Sequence, residues 1–124
     1  MFGGGDVFVM PSRSEPCGLA QMQAMRYGTL PVVTDVGGLH DTVVDLDVDP
    51  SSGTGIVAAQ VSSVGVVDAV HRGVRAVGDA ARLAGARHRG MRHDWSWRGP
   101  AAEHVAHYRR LMAARAAPTE GSTP

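Results

Sequence analysis

Residues 6–34, DVFVMPSRSEPCGLAQMQAMRYGTLPVVT, hold the pattern that decides the fold. Asp6 to Met10 is a short apolar run closed by Pro11-Ser12, which reads as a buried strand. From Gly18 to Tyr27 the residues Leu19, Met22 and Met25 recur at helical spacing, with Ala20 and Ala24 beside them. Gly28 stands where a C-cap belongs, so the spacing predicts a helix of about ten residues. Pro31 to Thr34 reads as a second buried strand. Strand, loop, helix and strand in that order make a crossover, and a crossover of this length joins parallel strands. The expected fold class is α/β.

Working outward, Gly37-Gly38 predicts a turn, Leu39 to Val44 one or two helical turns, and Asp45 to Gly55 a polar surface loop. Ile56 to Ala58 reads as a last short strand. Beyond it the pattern is helical in three pieces, about Ser63 to Val77, Asp79 to His93 and Gly99 to Ala114. Residues 118–124, PTEGSTP, have the composition of a disordered tail, which leaves 1–117 as one lobe.

Composition narrows the class without naming a partner. A chain of 124 residues with 44% hydrophobic content is the size of one domain with a real core. No apolar run approaches the roughly 18 residues that span a bilayer. The single cysteine, Cys17, excludes an internal disulfide and fits a reducing, cytoplasmic setting. The net charge is zero, yet residues 1–60 hold seven carboxylates against Arg13 and Arg26, so the second half is correspondingly basic.

The loop between the first strand and helix is the place where chemistry is expected. In open parallel sheets ligands sit beyond the carboxyl ends of strands, where loops lead into helices. A helix starting near Gly18 offers unpaired N–H groups to an anion, and glycine lets a phosphate approach without a Cβ in the way. Pro16 biases Glu15 towards an extended conformation, which aims its carboxylate beside that anion site. A carboxylate accepts hydrogen bonds from hydroxyls, so diphosphate beside polyol, a nucleotide sugar, suits the pair. A Glu near a helix start is also, commonly, a surface residue favoured by the dipole.

The strings PSRSEPCGLAQ, RYGTLPVV and GGLHDTV, with the later GTG and MRHDWSWRGPAAEHVAHYRRL, resemble the C-terminal domain of bacterial glycogen synthases and plant starch synthases. The likeness covers roughly residues 5–112. It implies a Rossmann-like parallel-sheet lobe of a GT-B glycosyltransferase with C-terminal helices. It further implies glucose transfer, with retention and without a metal or other cofactor, from ADP-glucose or UDP-glucose to an α-1,4-glucan. Glu15 would be the catalytic-site ligand of the donor glucose, and the backbone around Cys17, Gly18 and Leu19 would meet its phosphates. Ser14, Ala20 and Val36 depart from the residues common in that family, which puts local contacts in question. The family's acceptor-side domain and its phosphate-clamping Arg and Lys correspond to sequence before Met1, so a fragment or a truncated relative is expected. The alternatives are another retaining GT-B transferase, and a non-catalytic module that binds nucleotide sugars or other proteins.

Other constellations favour blander readings. Asp45-Leu46-Asp47 matches a metal-holding DxD but falls in a loop expected to be solvated, and Pro50 and Ile56 break an EF-hand pattern. His104 and His107 with Glu103 lack further zinc ligands. The basic stretch from Arg72 to Arg92 has no interleaved aromatics and reads as a solvated face rather than a nucleic-acid surface. Cys17 has no nearby His to make it a nucleophile, and Trp95 and Trp97 read as packing anchors.

Overall fold

A computed structural model of the chain describes residues 2–116. The chain divides into two compact units, Met1–His93 and Asp94–Pro124. The proposed tail, residues 118–124, lies outside the described residues.

The first unit is a three-stranded parallel sheet with helices, in the order β1 (Val7–Met10), α1 (Ala20–Arg26), β2 (Leu30–Thr34), α2 (Gly37–Thr42), β3 (Ile56–Ala58), α3 (Ser63–Gly78) and α4 (Ala80–Arg92). A short 3-10 turn, Phe2–Gly4, precedes β1. Strand order is β1-β2-β3. Val7 pairs with Leu30 and Met10 with Val33, then Val32 with Ile56 and Thr34 with Ala58. The expected α/β class, its parallel strands and its C-terminal helices are thus all present.

β2 is central, and every one of its residues is buried. Leu30 and Val32 alternate along the strand and so share a face, where they join one core with Ile56, Ala58, Leu46 and the α3 residues Ala69 and Ala76. Each such Leu, Ile or Val contributes about 1.5–3 kcal/mol by leaving water. α3 comes close because it is lined with small residues: a Cβ at Gly73 would lie 2.8 Å from Val32 Cγ2. That glycine, costly to a helix in isolation, is a packing position here.

The helix boundaries have local causes. The Ser62 hydroxyl accepts from Gly65 N at 3.1 Å, and the Asp79 carboxylate from Arg82 N at 3.0 Å, so each caps a helix start. α1 ends in a Schellman arrangement, with Gly28 N bonded to Met25 O and Thr29 N to Ala24 O. Its start is later than the spacing predicts. Gly18 has a left-handed φ of 65°, which no residue of α1 shares, so the helix is seven residues long and begins after Leu19.

Two sequence expectations need correction. The loop after α2 lies at the surface, with Val48, Ser51 and Ser52 exposed, but it is anchored: Leu46 is fully buried, and Asp45 bonds Val57 N at 2.6 Å and Arg72 Nη2 at 2.6 Å. Asp47 bonds Arg72 Nε at 2.5 Å and pairs with Arg82, while Arg89 reaches Gly53 O at 2.8 Å. The basic face of α3 and α4 is therefore largely consumed within the chain, and Arg87 also pairs with Asp6. The Arg82 hydrogen bond, more than that of Arg72, holds the Asp47 carboxyl below its ordinary range.

In the second unit α5 (Arg98–Ala116) forms a single helix, close to the span that the sequence predicts. Trp95 is half-buried and Trp97 exposed, so only the former suits a packing anchor. Among the described residues no helix is long and apolar enough to cross a membrane, and no group of three His, Cys, Asp or Glu is placed to hold a metal.

Candidate functional site

The loop after β1 and the turn after β2 meet at the carboxyl ends of adjacent parallel strands. Four hydrogen bonds tie them together, two of them through Gln21. Thr34 Oγ1, at the end of β2, donates to Ser12 O at 2.5 Å. Gly38 N, at the start of α2, donates to Glu15 O at 3.0 Å. Gln21, in α1, donates from Nε2 to Cys17 O at 3.3 Å and to Thr42 Oγ1 of α2 at 3.0 Å.

The approach at the glycine pair is backbone against backbone. A Cβ on Gly38 would lie 1.9 Å from Cys17 O, and one on Gly37 1.9 Å from Glu15 O. No side chain fits there, which is why the turn is spelled Gly37-Gly38.

Within the loop, Glu15 is half-buried and turns its Oε1 to the N–H of Gly18 at 3.2 Å. Gly18 is buried, and its left-handed backbone directs that N–H at the carboxylate. Cys17 has its carbonyl tied to Gln21 and its thiol exposed. Leu19 is 64% exposed and gives α1 no side-chain cap. The four residues singled out from the sequence thus lie in one turn, with a carboxylate beside backbone N–H groups. Beyond it a depression of about 340 Å³ opens, lined by Pro11, Arg13, Thr34, Ser62 and Val66.

Sequence reasoning missed Gln21, Thr34, Thr42 and the packing role of Gly37-Gly38. The signal was present for Gln21, which follows Cys17 by one helical turn and so can reach back to its carbonyl. At the second turn His40 Nδ1 meets Asp35 Oδ1 at 2.5 Å on the surface. The hydrogen bond and negative charge of Asp35 raise the His40 pKa, so the imidazolium is favoured to a higher pH than usual.

The sequence matches the family described as Glycosyl transferases group 1 over residues 1–75, more than half of the chain. The chain belongs to that family. It is 42% identical over 115 residues to Glycogen synthase 2 of Geobacter sulfurreducens, covering 93% of this chain and 24% of that protein. It is 46% identical over 108 residues to the glycogen synthase of Anaeromyxobacter dehalogenans, covering 87% and 22%. This glycosyl transferase chain therefore spans about a quarter of the length of the curated relatives it matches.

Among solved structures it is similar to the catalytic domain of starch synthase IV from Arabidopsis thaliana bound to ADP and acarbose. The TM-score is 0.77 and the identity 34%, over 85% of this chain and 22% of that one. The parallel sheet and its helices thus match part of that GT-B catalytic domain, in keeping with the Rossmann-like reading.

Proposed function

We propose that this lobe holds the nucleotide-sugar donor of a glycogen synthase-like glucosyltransferase, which moves glucose from ADP-glucose to an α-1,4-glucan with retention. The observation that carries the reading is the turn Glu15 to Leu19. It sits at the carboxyl end of β1, with a carboxylate against the N–H of a left-handed glycine and with its carbonyls tied to α1 and α2. The ADP bound to the similar starch synthase IV supports an adenosine diphosphate as the group held.

The chemistry follows from the residue types. As the bond from the anomeric carbon to the diphosphate breaks, negative charge grows on the leaving phosphate, and the N–H of Leu19, next to the Gly18 N–H that Glu15 holds, stabilises it. The Glu15 carboxylate, an acceptor only, takes hydrogen bonds from the glucose hydroxyls and fixes the ring. Donor and acceptor must also be held in a reactive geometry. Relatives are about four times longer, so we assign that task to a polypeptide that includes the remaining portion. The lone exposed thiol of Cys17 suits a cytoplasmic, reducing setting.

The test is titration of ADP and ADP-glucose into the isotopically labelled chain. ADP is expected to shift the amide signals of Gly18, Leu19 and Ala20, and the glucose moiety to add shifts around Glu15. Perturbation confined to another surface would refute the site. Transfer of labelled glucose to glycogen is expected only when the polypeptide also carries the portion found in its relatives.

A further inference from the structure

We propose that Gln21 is the positioning residue of the donor turn: its buried carboxamide ties the loop after β1 to α2 and holds Gly18 in its left-handed conformation. The inference rests on the reading of that turn as the donor site. Gln21 is fully buried, which is unfavourable for an amide unless its polar atoms are matched. Its orientation is settled by hydrogen-bond polarity. Cys17 O can only accept, and the Thr42 hydroxyl already gives its proton to Gly38 O, so both need a donor. The NH2 group must face them, and Oε1 must face the other way.

That oxygen has no hydrogen-bond partner, and it lies 2.5 Å from where a Cβ on Gly18 would sit. The carboxamide therefore occupies the space that a side chain at position 18 would take. A leucine or methionine would fill the same volume without stranding a buried acceptor. What only glutamine supplies is the pair of donors that bridges Cys17 and Thr42, two residues that belong to different turns. The role is therefore one of holding the turn in shape, beyond filling the core.

The experiment compares Gln21→Met and Gln21→Glu with the wild-type chain by amide exchange, thermal unfolding and ADP titration between about pH 5 and pH 8. Gln21→Met is expected to stay folded, with Val32 still protected. Exchange at Gly18 and Gly38 should quicken, and ADP should bind roughly ten- to a hundredfold more weakly. In Gln21→Glu the carboxylate cannot donate, so binding is expected to be weak at high pH. It should recover in part relative to wild type as the pH falls, because the neutral acid donates one of the two bonds again. Full burial of position 21, and the Glu15 carboxylate on the same turn, raise the pKa of the introduced acid.

A folded Gln21→Met chain with ADP affinity within about twofold of wild type and an unchanged Gly38 amide overturns the proposal. Should Gln21→Met not fold, absence of pH-dependent recovery in Gln21→Glu overturns it instead. Failure of the wild-type chain to bind ADP refutes the donor site. Exchange at Gly18 and Gly38 then still decides whether Gln21 holds the turn.

Discussion

Replacing Gly38 with alanine sets two effects of opposite sign against each other. Gly38 lies in α2, where helix propensity alone favours alanine by about 0.8–1 kcal/mol. The structure predicts the reverse, because the added Cβ would lie 1.9 Å from Cys17 O and 2.2 Å from the Cys17 carbonyl carbon. Both are backbone atoms, so no rotamer change relieves the overlap, and α2 must move away from the loop by more than an ångström to reach ordinary contact. Overpacking of this kind costs about 1–3 kcal/mol, with the upper end apt for backbone. The shift also breaks the bond from Gly38 N to Glu15 O, worth about 0.5–1.5 kcal/mol. Set against the propensity gain, the net loss is about 2–3 kcal/mol, or a fall in Tm of roughly 10–20 °C for a unit of this size. Gly78→Ala is the control, since a Cβ there meets nothing within 4 Å and the chain should gain a few tenths of a kcal/mol or more. Thermal unfolding followed by circular dichroism measures both. A Gly38→Ala chain that unfolds at or above the wild-type temperature would show that the two turns are not in backbone contact, and the account of the site would fall with it.

Three further outcomes are expected. Glu15→Gln retains an oxygen for the Gly18 N–H, so Tm should barely move. Glucose transfer by a polypeptide that includes the remaining portion should nevertheless drop about ten- to a hundredfold, as a charge-assisted bond of about 1.5–3 kcal/mol is lost. Arg72 is only 15% exposed and bonds Asp45, Asp47 and Val57 O, so Arg72→Ala should cost about 3–5 kcal/mol in denaturant unfolding; a loss below about 1 kcal/mol would mark the network as a surface ornament. The Asp47 pKa is lowered, by Arg82 first and then by Arg72, so its pairing stabilises the fold fully above the ordinary value of 3.8 and is lost as the pH falls through the lowered one. Urea midpoints taken across that acid range should slope less in Arg82→Ala than in wild type, and equal slopes would contradict the pairing.

How far the sequence announces this structure depends on the range of the interaction concerned. The parallel crossover from β1 to β2 was legible because it rests on local signals: two apolar runs, a helical repeat and Gly28 at the C-cap. The three later helices were legible within two residues at most ends, for the same reason. Glu15, Cys17, Gly18 and Leu19 could be picked out as one turn because they are adjacent in the chain. The partners of that turn could not, since Gln21 acts through Thr42, twenty-one residues away, and Gly38 through Glu15. The anchoring of the acidic loop was missed for a related reason. Asp45 and Asp47 look solvated until α3 and α4 bring Arg72 and Arg82 to them, which turns the charge imbalance between the two halves of the sequence into pairing within the fold.

A donor site made of backbone has to reconcile two demands, since loop N–H groups offered to a ligand ordinarily belong to the mobile part of a protein. The loop after β1 meets both through its carbonyls. Ser12 O is held by Thr34, Glu15 O by Gly38 N and Cys17 O by Gln21, so three peptide groups of one short loop are anchored from β2, α2 and α1. In a planar trans peptide the C=O and the following N–H point in opposite directions. Anchoring the Cys17 carbonyl on the side of Gln21 therefore turns the Gly18 N–H to the opposite side, where it meets the Glu15 carboxylate. Anchoring the Glu15 carbonyl would expose the next N–H in the same way, but Pro16 has none, so no second donor competes for that carboxylate there. With Gly18 so held, the N–H of Leu19 that follows is fixed as well, and fixed N–H groups that a protein acceptor leaves open make an anion-binding concavity. On the proposed donor reading, a chain without lysine, whose Arg72, Arg82 and Arg87 are taken up by its own aspartates, still presents a diphosphate with a rigid place to bind.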